Sequence, residues 1–169
     1  MIVRRAHLPG DFQAIARLMQ QFIEWHYVRH ASDRHIIDRY FDPDAFASEL
    51  ATLPGEFVPP RGDLLVAEED GLIAGCVALR PLDENACEMK RMFVSTRFHG
   101  RGVGLLLGRA IIERARAVGY RRMLLDTGPE QREAHGLYRK LGFRDIAPYY
   151  DLSPTLREWL VFMELDLGE

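Results

Sequence analysis

The chain has 169 residues, 47% of them apolar, and 22 Lys and Arg against 25 Asp and Glu give a net charge of −3. That length suits one compact domain over residues 1–169 with a real core, and the acidic balance argues against a general nucleic-acid binder, which needs a basic surface. No apolar run approaches the ~20 residues of a membrane span, and "MIVRRAHLPGDF" lacks the apolar stretch of a signal peptide, so a cytoplasmic protein without membrane contact is expected. In chain order, "MIVRRA" reads as a first strand. Phe12, Ile15, Leu18, Met19, Phe22 and Ile23 then recur at helical spacing, with Asp11 as the expected N-cap. A second helix is expected over "DPDAFASELATL", with Pro43 in its first turn. Asp70-Gly71 between two apolar runs signals a hairpin over "DLLVAEEDGLIAGCVALRPL", and "ACEMKRMFVS" is a further strand.

A helix is expected over 103–118, closed by Gly119, followed by a strand in "RRMLLDT". "PEQREAHGLYRKL" reads as another helix, with Pro129 in its first turn and Gly142 just past its end. Two last strands flank a connection containing Pro154. The order β-α-α-β-β-β-α-β-α-β-β implies an α/β (α+β) layered fold: a mixed, mostly antiparallel sheet of six to seven strands with helices on both faces. The β-α-β segment from 86 to 126 should make a right-handed crossover between parallel neighbours. Cys76 and Cys87 lie in strand-like runs without a CxxC partner and read as buried small hydrophobes. His26 and His30 share a helix face, but Glu24 is on another and no third ligand is at hand, so no metal is expected.

Gly100, Gly102 and Gly104 fall between a strand and a helix, where glycine lets the backbone turn its amides inward and the helix start adds free N–H groups. A pyrophosphate suits such a loop. There is no Lys-Ser/Thr for a P-loop, and Leu107 stands where a dinucleotide fingerprint needs glycine.

"HGRGVG" at 99–104 resembles the acyl-CoA loop of the GNAT superfamily of N-acetyltransferases, [QR]-x-x-G-x-[GA], with His99 in place of the usual Gln or Arg. "EAHGLYRKLGF" at 133–143 is similar to the same family's tyrosine helix and following turn, at Ala134, Leu137, Tyr138, Lys140, Gly142 and Phe143. The element order agrees over nearly the whole chain, the first 60 residues only in helical character. The resemblance implies an acetyl-CoA-dependent N-acetyltransferase working by direct attack of an amine in a ternary complex. It implies a pyrophosphate held by His99, Gly100, Arg101, Gly102, Val103, Gly104 and Leu105, and a pantetheine arm along Met92, Phe93 and Val94. Gln131 stands where many members carry Asn. Arg97 and Arg101 are candidate phosphate partners.

An alkylammonium has a pKa near ~10, so transfer needs a base or a water relay, and the departing thiolate benefits from an acid. Tyr138 is the implied acid. Glu88, fourteen residues before Gly102, is the candidate base. Regular strand alternation gives Glu88 and Lys90 the parity of Met92 and Val94, with Glu88 about 13 Å from Met92, which suggests a relay. Trp25, Tyr27, Tyr149 and Tyr150 are candidate acceptor contacts, with Tyr40 beside them. The arm can bind only if its strand splays from its neighbour. The expected acceptor is a small-molecule amine or amino-acid derivative, and the expected protein a monomer or homodimer. The alternatives are a protein or peptide N-acetyltransferase and a non-catalytic acyl-CoA sensor.

Overall fold

The computed structural model describes residues 1–168. The elements are β1 (Ile2–Arg5), α1 (Pro9–Arg29), α2 (Arg34–Tyr40), α3 (Pro43–Ala51), β2 (Asp63–Glu69), β3 (Leu72–Pro81), β4 (Ala86–Val94), α4 (Val103–Val118), β5 (Arg122–Thr127), α5 (Arg132–Lys140), β6 (Arg144–Ile146), α6 (Pro154–Trp159) and β7 (Val161–Asp166). One seven-stranded sheet runs β1-β2-β3-β4-β5-β7-β6. Its pairs are antiparallel except β4 with β5, the parallel neighbours joined by α4.

The apolar patterns of the helices decide which face each covers. Leu107 and Ile111 of α4 and Tyr138 of α5 bury themselves against Val77, Met89, Met123 and Met163. On the other face Ile15, Met19 and Phe22 of α1 and Ile37 of α2 pack on Leu64, Val66, Ala78 and Phe93. A third cluster joins Ile36 of α2 and Leu156 of α6 to Phe162 of β7. Asp70 and Gly71 both take left-handed backbone, φ 51° and 77°, the pattern of a two-residue hairpin turn.

Four readings of the sequence need correction. Helices α2 and α6 were not expected; at seven and six residues they are too short for a period to show. Ser153, whose hydroxyl faces the Leu156 N–H, and Pro154 at the first turn were the missed signal for α6. Asp11 is not the N-cap of α1 but sits one turn in, reaching back to the N–H groups of His7 and Leu8 at 3.0 Å each. Helix α5 begins at Arg132, so Pro129 precedes it.

The parallel pairing of β4 with β5 covers only Ala86–Glu88 against Arg122–Leu124. Beyond it β4 continues to Val94 on β3, and β5 continues to Thr127 on β7, so the two strands part like a V. Within this opening β4 carries a bulge. Cys76 pairs with Phe93 but Ala78 pairs with Lys90, which leaves Arg91 and Met92 opposite one residue, with Arg91 at φ 54°. The bulge breaks the alternation assumed from sequence. Met92 and Val94 pack on the α4 side with Cys87 and Met89, whereas Phe93 packs on the α1 side.

Gly75 of β3 lies opposite this stretch. A Cβ there would stand 2.7 Å from the Phe93 carbonyl oxygen and 3.2 Å from the Val94 Cα. Substitution Gly75→Val must therefore push β4 away at its bulge, at a cost of roughly 1–3 kcal/mol. Scanning calorimetry should show a melting temperature lower by roughly 3–10 °C; an unchanged midpoint would mean that β4 moves freely there.

Candidate active site

The loop before α4 is built as an anion cradle. Gly100 and Gly102 take φ 73° and 76°, and no side chain caps α4, whose first backbone bond runs from the Leu106 N–H to the Gly102 oxygen. The N–H groups of Val103, Gly104 and Leu105 thus have no partner within the helix and point out of its positive end. His99 places Nε2 2.9 Å from the Val94 carbonyl oxygen, tying the loop to the end of β4.

A groove of about 500 Å³ runs from this cradle into the V. Met92, Phe93, Val94, His99, Gly100, Gly102, Val103, Gly104, Leu105 and Gln131 all line it, with Phe22 and Trp25 of α1 on the far wall. Gln131 is fixed at its rim: Oε1 accepts from the Gly128 N–H at 2.6 Å and the Thr127 hydroxyl at 2.7 Å. Arg101 does not line the groove; its guanidinium pairs with Glu69. Arg97 is also outside the groove and lies over the ring of Phe98.

At the apex of the V the groove meets a small chamber of about 50 Å³, space for a few waters or one small acyl group. Phe22, Met92, Gln131 and Tyr138 belong to both; the polar lining of the chamber also includes Asp126, Lys90, Arg91, Thr127, Tyr40 and His26. The Tyr138 hydroxyl is buried, and burial, helped by the charge of Asp126, raises its pKa, so it stays protonated near neutral pH. A third cavity of about 340 Å³ shares Tyr40, Phe41, Lys90 and Arg91 with the chamber. The groove and the third cavity have no lining residue in common, so the chamber adjoins them through different residues.

A charged network sits beneath it. Asp126 accepts from the hydroxyls of Tyr40 and Tyr150, the latter at 2.7 Å, and lies 3.5 Å from the Lys90 ammonium. Burial pulls the Asp126 carboxyl up, but Lys90 and the two tyrosines outweigh it and hold the group below the usual carboxylate range. Glu88 is fully buried. It pairs with Arg80, accepts from the Tyr149 hydroxyl, and stands 3.8 Å from Lys90. It does not line the chamber.

The remaining sequence candidates separate. Tyr149 reaches the site through Glu88, and Tyr150 lines the third cavity. Trp25 lines the groove rather than the third cavity. Tyr27 lies outside all three: its hydroxyl donates to Asp38 and its ring lies under Arg34. Cys76 and Cys87 are buried free thiols, each pushed up to about 12 by burial, and neither lines the chamber.

The acetyltransferase (GNAT) family model matches residues 22–143, which include the cradle, both arms of the V and the Tyr138 helix. The chain belongs to this family. An uncharacterised N-acetyltransferase of Schizosaccharomyces pombe is 40% identical over 164 residues, 96% of this chain and 92% of that protein. The human N-acetylaspartate synthetase is 35% identical over 121 residues, 70% of this chain but only 40% of its own length. An aminoglycoside 6′-N-acetyltransferase solved with coenzyme A superposes with a TM-score of 0.70 over 100% of this chain and 98% of its own, at 13% identity, a likeness of fold.

Sequence reasoning missed Asp126, Lys90 and His26 as parts of this GNAT site. Asp126 had a signal, an acid closing the apolar strand "RRMLLDT". Lys90 was hidden by the bulge, which no local pattern announces. His26 is 2% exposed and neither ring nitrogen has a partner among the described residues. Burial, with a smaller contribution from His30, pushes its pKa down to about 3, against 6.5 for a free imidazole. The native state therefore holds His26 neutral, and the stability this brings is present above pH 6.5 and lost as pH falls toward 3. Between pH 7 and pH 5 the loss is about 2 kcal/mol. The variant His26→Phe should show a smaller drop in melting temperature over that interval than the wild type; equal drops would assign the acid sensitivity to other groups.

Proposed function

We propose that this GNAT protein transfers an acetyl group from acetyl-CoA to the amine of a small molecule, by direct attack within a ternary complex. The observation that carries the reading is the chamber at the apex of the V, which shares Phe22, Met92, Gln131 and Tyr138 with the groove and Tyr40, Phe41, Lys90 and Arg91 with a separate cavity. The groove has the parts an acyl-CoA requires: free amides for the pyrophosphate and the unpaired edge of β4 at Met92–Val94 for main-chain bonds to the pantetheine arm. The name of the human relative, an N-acetylaspartate synthetase, supports an amino-acid-sized acceptor.

In this reading the neutral amine enters from the third cavity and attacks the thioester carbon in the chamber. The C–N bond forms and the C–S bond breaks. The Tyr138 hydroxyl donates its proton to the departing sulfur, and the amine gives its excess proton to a carboxylate. Two are in reach of the network, and they divide the work. Asp126 lines the chamber and receives the proton; Glu88, sealed behind Arg80 and Tyr149, acts through Lys90 as the inner partner. Both cysteines are buried with raised pKa, consistent with no acyl-enzyme.

Thiol release from acetyl-CoA over a panel of amines tests the reading. Release with at least one small amine is expected; tight acetyl-CoA binding with no release would make the protein a non-catalytic acyl-CoA sensor instead. In single-turnover kinetics Tyr138→Phe and Asp126→Asn should each lower the rate about 100-fold, and Glu88→Gln should lower it less. An unchanged rate in Tyr138→Phe would remove the acid role, and a larger loss in Glu88→Gln than in Asp126→Asn would return the base to Glu88.

A further inference from the structure

The groove and the chamber meet at four residues, Phe22, Met92, Gln131 and Tyr138. Gln131 is tied by its side chain to Gly128 and Thr127, and Tyr138 carries a hydroxyl, which leaves Phe22 and Met92 as the apolar pair. Met92 is an unbranched thioether that adjusts to whatever lies against it. Phe22 is the rigid member. Its buried ring meets the rings of His26, Phe41 and Phe93 edge-on, at centroid distances of 4.4, 5.7 and 5.4 Å. These partners sit on α1, at the end of α2 and on β4, so the ring is wedged among three elements.

The chamber that this ring borders is small. At about 50 Å³ it has room for roughly three to five water-sized positions. An acetyl group, two carbons and an oxygen, fits such a space, and each added methylene crowds it. The other apolar walls are closed as well. Met89 and Leu160 are buried, and Trp159 is fixed by its indole N–H, which donates to Asp33 at 3.0 Å. Toward the third cavity stand Tyr40, Phe41, Lys90 and Arg91. Tyr40 and Phe41 pack edge-on at 4.5 Å, and an alkyl chain driven past them would lie against two charged groups. The ring of Phe22 is thus a stiff apolar stop where an acyl group would pass from groove to chamber.

Resting on the acetyltransferase reading above, we propose that Phe22 is the residue that limits the length of the acyl group this protein accepts from CoA. The choice of acyl chain then lies in a side chain of α1, outside the cradle and the strand edge that hold the rest of the donor. Replacing Phe22 by alanine leaves apolar space between Phe41 and Phe93, continuous with the chamber and free of charged groups, into which a longer chain can extend. Leucine in its place leaves less of that space.

Two measurements test this. The first needs no turnover: calorimetric titration of the protein with acetyl-CoA and with butyryl-CoA, in the absence of any amine. The wild type should bind butyryl-CoA at least tenfold more weakly than acetyl-CoA. Phe22→Ala should bring the two affinities within about threefold, and Phe22→Leu, the gentler change should the alanine variant not fold, should fall between. Ile15→Val loosens the same apolar cluster but lines none of the three cavities, and it should keep the wild-type ratio. Equal binding of the two thioesters by the wild type, or a ratio that Phe22→Ala and Phe22→Leu leave unchanged, would overturn the proposal. So would an equal change of that ratio in Ile15→Val. The second measurement is thiol release from the same thioesters over the amine panel used above, where Phe22→Ala should raise the butyryl-to-acetyl ratio of kcat/KM at least tenfold. Wild-type protein that binds butyryl-CoA as tightly as acetyl-CoA but does not use it would place the chain in the third cavity and remove Phe22 as the limit. A binding ratio that shifts in Phe22→Ala, with no thiol release by any of the proteins, sinks the transfer reading while leaving Phe22 as the stop for the acyl group.

Discussion

The whole site depends on one missing interaction, the backbone pairing of β4 with β5 beyond Glu88 and Leu124. Unpaired strand edges inside a sheet are costly, because N–H and C=O groups lose water without gaining a partner. Here the edges stay open because each strand is held firmly on its other side, β4 by β3 and β5 by β7. The bulge at Arg91 adds local twist and turns β4 outward where the strands part. Arg91 keeps its left-handed backbone while its guanidinium is clamped by Glu49 and stacked over Phe41 and Phe46. Helix α3 thus braces the deformation that opens the site.

The opening places charge where an ordinary core would hold hydrocarbon. Glu88, Lys90 and Asp126 are nearly or fully buried, and their mutual attraction with Arg80 must offset a large desolvation cost. Four tyrosines are arranged around them. Tyr149 bonds Glu88, Tyr40 and Tyr150 bond Asp126, and Tyr138 closes the opposite side of the chamber. Burial and the neighbouring carboxylates raise the pKa of all four phenols, so each remains a donor near neutral pH. The network therefore has carboxylates to accept protons and phenols to hold them, without a second exposed acid.

Much of this was legible before any coordinates. The 3.6-residue period placed α1 and α4, Asp70-Gly71 placed the hairpin, and the glycines at 100 and 102 with the uncapped α4 gave the cradle, because these features are set by neighbours in sequence. The family resemblance named most of the residues that line the groove. What stayed hidden depends on distant pairing. The splay is decided by β3 and β7, not by β4 and β5 themselves, and the bulge shifts side-chain parity without any glycine or proline to mark it. So Lys90, read as one more residue on a regular face, lines two cavities, and Glu88, read as a base working through a relay, lies behind Arg80 and Tyr149.

The position of the chamber also bears on why transfer would be direct. A covalent relay needs a nucleophile that meets the donor first and the acceptor later, which suits a site with one entrance. Here the groove and the third cavity adjoin, through different lining residues, a space that holds little more than an acyl group. Phe22 and Met92 wall the groove side and Phe41 the other, so a filled groove and a filled cavity would between them displace the water. Donor carbon and acceptor nitrogen would then be neighbours with nothing between them. The fold supplies proximity by geometry, and the proton handling falls to the few polar groups that the parting strands expose.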